Sequence, residues 1–156
     1  MASMDSFKTK GEGIQSDIAG GVEKIQDMGK EFQDVKDTLD GVPDGLDDEI
    51  KSSIQAALDS GKAEVQTDIN SVKDSVMADA KRSADTVKSD VQTKITDNNS
   101  ARATLDAINS KYGKSDIASA KTSLDSNTKM GEDLIQSLEK ALEQAAGDIQ
   151  SVEGSI

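Results

Sequence analysis

Four consecutive blocks of eleven residues, running from Ile54 to Asp97, carry an apolar residue at their first and fifth positions. The first position is held by Ile54, Val65, Val76 and Val87, and the fifth by Leu58, Ile69, Ala80 and Val91. Such a repeat gives ~3.67 residues per turn, close to a relaxed α-helix, so the stripe runs nearly straight or drifts slightly right-handed. A stripe this long and this thin finds its burial against other helices. It builds extended surfaces rather than an enclosed pocket.

Composition narrows the core further. The 156 residues are 34% hydrophobic and 31% charged, low in apolar content for a compact globule. Phe7, Phe32 and Tyr112 are the only aromatic residues, so the core rests on Val, Ile, Leu and Ala. Low hydrophobicity with high charge is also the signature of disorder, but the strict periodicity speaks for helix. A formal net charge of -12, with Lys81-Arg82 as the longest basic run, argues against nucleic acid and anionic membranes as partners. No cysteine is present for disulfides or thiolate metal sites. No segment reads as a signal peptide or a transmembrane span, which leaves a cytoplasmic location or export by a leaderless route.

Along the chain, residues 1–13 contain Gly11 and Gly13 and read as a flexible N-terminus. Ile14, Ile18, Val22, Ile25, Met28, Phe32, Val35 and Leu39 then recur at steps of three or four, which predicts a helix over about 14–39. The Gly20-Gly21 pair predicts fraying or a bend within it. Asp40-Gly41-Val42-Pro43-Asp44-Gly45 is the strongest breaker, and Asp44, Asp47, Asp48 and Glu49 suit the N-terminus of a following helix. That second helix is expected over about 46–97, with Gly61 on its seam. Asp97-Asn98-Asn99-Ser100 reads as a polar turn, followed by helices at about 100–112 and 116–153. Asn127 and Gly131 interrupt the last stripe and mark its weaker part.

A second helix of that length would span roughly 78 Å and needs a returning partner. The expected fold is therefore all-α: an elongated, coiled-coil-like antiparallel helical hairpin or bundle in a single domain over 14–156, with a three-helix base. The seam residues are Ile54, Leu58, Val65, Ile69, Val76, Val87 and Val91.

Chemistry is sparse. There is no His and no Cys, and neither a nucleophile elbow nor a phosphate-cradling glycine loop appears. No catalytic residue, cofactor site or metal site is assigned, and the chain reads as a non-enzyme. The acidic loop Asp40, Asp44, Asp47, Asp48 and Glu49 departs from a calcium-loop pattern and reads as a turn with an acidic helix start. By period alone the repeats resemble membrane-surface helices or late embryogenesis abundant proteins. Asp68, Asp79 and Asp90 at the fourth position of three blocks replace the lysines expected of a membrane-binding face.

Two short elements remain. Leu39-Asp40-Gly41 is an L-x-G between two amphipathic helices, and Tyr112-Gly113-Lys114-Ser115-Asp116 is a Y-x-x-x-D at a helix end. Together with a small, acidic, cysteine-free helical chain, these resemble the helical-hairpin proteins of bacterial type VII secretion systems. In that family a W-x-G or L-x-G turn joins two helices and a Y-x-x-x-[DE] element acts in export. The chain departs from the pattern in lacking Trp, in its long second helix, and in placing Tyr112 ahead of another helix. The resemblance implies a secreted substrate, or a small partner that accompanies a toxin. It also implies partner or export roles for Leu39, Gly41, Tyr112 and Asp116. The partner is then another helical protein or a second copy. The alternative is a structural or stress-related helical protein with eleven-residue repeats and no export role.

Overall fold

The computed structural model describes residues 3–41, 47–112 and 116–156, and every element among them is helical. Helix α1 spans Met4–Asp40, α2 Asp48–Val72, a π turn Lys73–Met77, α3 Ala78–Tyr112 and α4 Asp116–Ser155. The chain is thus an all-α helical bundle of hairpin-packed helices. Its contacts fall into two compact units. The first joins Met1–Ser16 to Ala80–Leu142, and the second joins Asp17–Asp79 to Glu143–Ile156.

Within the second unit, α1 and α2 run antiparallel: Gly21 lies against Val76 and Met77, while Phe32 lies against Gly61. The C-terminal part of α4 packs beside α1, where a Cβ on Gly29 would stand 2.5 Å from Val152 Cγ1. Only a residue without a side chain lets the two helices come that close. Within the first unit, α3 and α4 are antiparallel, with Asn98 opposite Asn127 and Val91 and Ile95 against Gly131. A Cβ on Gly131 would meet Met4 Cε at 2.8 Å and Val91 Cγ1 at 3.0 Å. Gly131 does not weaken α4. It is where α1 and α3 close on it.

Three expectations are corrected. The N-terminal segment is helical from Met4, ten residues before the expected start at 14. Ser3 caps it, its Oγ accepting from the Ser6 N–H at 3.2 Å, and Met4 and Phe7 are buried, so the core repays ordering this turn. Three helices therefore meet in the first unit as well as in the second. The Gly20-Gly21 pair neither ends nor frays α1, because Gly21 is buried against α2 and the π turn. Finally, no break occurs at 97–100, and α3 runs through to Tyr112. Asn98 is not a cap but a seam residue, 6% exposed, whose amide is satisfied across the interface. Asn and Ser in a helix cost only about 0.5 kcal/mol each, so one satisfied buried contact outweighs the local preference. The breaker at 42–46 and the connection at 113–115 lie outside the described residues.

The π turn has a reason in the spacing. Val72, Val76, Ala80 and Ala84, all at least half-buried, follow one another at steps of four. Three such steps hold twelve residues, one more than three ordinary turns and a fraction accommodate. Widening one turn at Lys73–Met77 absorbs the extra residue and keeps the stripe on one face. Four straight blocks would otherwise rotate the stripe by about 80°, and one absorbed residue reverses about 100° of that drift.

Asp at Val91, which is fully buried, places an unpaired charge in the seam, whereas Thr93 is exposed. Val91→Asp is expected to cost roughly 3 kcal/mol or more and Thr93→Asp under about 0.5, read from thermal melts. Glycines divide the same way. Gly147→Ala, with nothing within 4 Å of the new Cβ, should stabilise by about 0.5–1 kcal/mol, and Gly131→Ala should lose stability through overpacking.

Candidate interaction surfaces

The seam residues named from the repeat divide by depth. Ile69, Val87 and Val91 are buried, as are Ala80, Ala84 and Ile95. Ile54, Leu58, Val65 and Val76 are half-buried. The repeat is thus spent inside the bundle, on α1 and α4, and is not a free docking face. Fully exposed large apolar side chains are few among the described residues: Val35, Ile50 and Ile108.

The two short elements lie where helices end. Leu39 is half-buried in the last turn of α1, and Gly41 follows the helix, its N–H donating to the Asp37 carbonyl at 3.2 Å. A Cβ on Gly41 would stand 3.5 Å from the Thr38 carbonyl oxygen, an ordinary contact. Local packing therefore does not require glycine there. Tyr112 is the last residue of α3 and Asp116 the first of α4. Across the connection, Asp47 caps α2, its carboxylate accepting from the Ile50 N–H at 2.9 Å, and Asp48 and Glu49 sit in the first turn. These acids serve the helix N-terminus. Among the described residues no group of acidic side chains is placed to hold a metal ion.

Sequence reasoning missed the polar end of the α3–α4 pair. The Asn98 amide nitrogen donates to Asn127 Oδ1 at 3.0 Å and reaches Thr128 Oγ1 at 3.5 Å. The signal was present, since Asn98 stands one block beyond Val87 in the register of Ile54, Val65 and Val76. Further along, Arg102 pairs with Asp125 at 2.8 Å, and Lys121 pairs with Asp106. The hydrogen bond from Lys121 holds the Asp106 carboxyl below the usual carboxylate range. Hydrogen bonds from Lys81 and Lys88 do the same for Asp85 on α3.

One concave feature lies in the first unit. An open groove of about 450 Å³ between α1 and α4 is lined by Lys8, Glu12, Gln15, Met130 and Asp133, among others. Its charges are of both signs, and Lys129 is tied to Asp133 at 2.9 Å, so it offers no single-sign recognition site. Charge is instead divided between the units. The first carries twelve Lys and Arg against eleven Asp and Glu, and the second carries six against nineteen. Nearly all the negative excess belongs to the second unit. Among the described residues no helix is long and apolar enough to cross a membrane.

Comparison of the chain with models of known protein families, with curated proteins and with solved structures found no match.

The lowered acidity constant of Asp106 gives a pH test. A carboxyl depressed on folding stabilises the fold above its unfolded pKa, and that contribution disappears as pH falls through the folded value. Lys121→Met should move the Asp106 midpoint upward, measured by carboxyl NMR titration, and remove this acid-side loss.

Proposed function

We propose that this chain is a non-enzymatic helical interaction protein that acts as a substrate or targeting partner of a bacterial type VII-like secretion system. The observation that carries this reading is the position of its two short elements at helix ends. Leu39-Asp40-Gly41 closes α1, and Tyr112 and Asp116 stand on either side of the connection between α3 and α4. Gly41 supports it further, because an alanine would fit without a clash, so packing does not account for the glycine. The partner in this reading is another helical protein, a toxin or a small secretion partner. The acid excess of the second unit favours a partner with a basic face, since opposite charge steers encounter and suppresses wrong pairings. Export then follows a leaderless route.

A second reading is favoured by the seam itself. Eleven-residue repeats buried within one bundle are what a structural or stress-related helical protein would also carry, with no export role. Secretion separates the two readings. Tyr112→Ala, Asp116→Ala and Gly41→Ala are expected to abolish appearance of the protein in the culture supernatant of its native host. Helicity by circular dichroism should remain near wild type, because each position adjoins a helix end. Well-folded variants secreted at the wild-type level would refute the export reading in favour of the structural one.

A further inference from the structure

The pairing of α3 with α4 changes chemistry at Asn98. On one side of it, Val87, Val91 and Ile95 are buried, as are Leu134 and Leu138 on α4. On the other side, no residue of α3 from 99 to 111 is buried, and only Leu105 is half-buried. Across from it, residues 117–126 of α4 contribute one buried side chain, Ile117. What links these stretches is the Arg102–Asp125 and Lys121–Asp106 ion pairs, with side chains 27–52% exposed. Exposed ion pairs add little to stability and weaken with salt. Asn99, Ser100, Thr104, Asn109 and Ser110 are also poor helix formers.

We infer that residues 99–111 of α3 and 117–126 of α4 separate as a local opening unit, and that the Asn98–Asn127 amide contact is where the opening stops. Up to that point, opening releases solvated charges and half-buried aliphatics, whose partners water replaces at small loss. Breaking the Asn98 contact is different, because a 6% exposed amide would be left unpaired beside buried Ile95. The polar pair therefore acts as a stop between a zipped end and an aliphatic stem. Low local apolar burial is the physical mark of segments that open below the global unfolding energy. The inference stands apart from the export reading, although the opening unit leads to Tyr112 and Asp116.

The test is hydrogen–deuterium exchange of the full chain read by peptide mass spectrometry. Amides of 99–111 and 117–126 should exchange about a hundredfold faster than those of 84–95 and 131–142. Raising salt to about 0.5 M should speed the first pair of segments and leave the second unchanged. Asn98→Leu with Asn127→Leu, which keeps the seam filled without an unpaired amide, should carry slow exchange beyond position 98 toward Leu105. Equal exchange rates on the two sides of Asn98 in the wild-type protein would overturn the inference. So would a double variant whose protection boundary has not moved.

Discussion

Close approach between helices is the condition on which this bundle depends. With two phenylalanines and one tyrosine in 156 residues, the chain has few large side chains to fill wide gaps. Dispersion falls steeply with distance, so an aliphatic core of Val, Ile, Leu and Ala holds only where the backbones come near. Gly29 and Gly131 provide that nearness, and at each the opposing side chains occupy the space a Cβ would take. The helices lose some intrinsic propensity at these points. The packing they permit returns more than is lost.

Much of this architecture was legible because its pattern is periodic. The eleven-residue register located Ile69, Val87 and Val91 before any coordinates, and the breaker after Leu39 separated α1 from α2. What failed did so for one physical reason: residues were judged by local preference where tertiary contact decided. Asn98 looked like a turn residue, Gly131 like an interruption and Gly11 like part of a loose terminus, and each lies buried on an interface. Stepping back from Ile14 by three and four reaches Gly11, Phe7 and Met4, so the early start of α1 was readable once glycine is admitted to the stripe. The π turn was not readable from the first and fifth block positions, which keep their spacing across it. It shows only in the third seam position, which moves from Gly61 and Val72 to Ala84 and Ile95.

The candidate functional residues were less legible than the fold. Tyr112 and Asp116 are defined by sequence and by their place at helix ends, whereas the seam residues are defined by contact. The latter can be checked by packing, and the former only by what recognises them. Electrostatics adds what the motifs do not. The near-neutral first unit ties its charges to each other, as Asp85 to Lys81 and Lys88, while the second unit carries the excess acid. Recognition by charge therefore belongs to one part of the chain and ion-pair zipping to another.

Length in such a helix comes in quanta. Deleting one eleven-residue block from the repeat would shorten it by about 16.5 Å yet turn the remainder by only about 20°, leaving the stripe facing its neighbours. Deleting one residue would turn everything beyond it by about 100° and carry the aliphatic side chains into solvent. A single added residue survives only where a turn widens to hold it, as at Lys73–Met77. Read this way, the π turn is a splice in a ruler graduated in elevens. Homologous helices of other lengths should differ by whole graduations, or by single residues each marked by a π turn of its own.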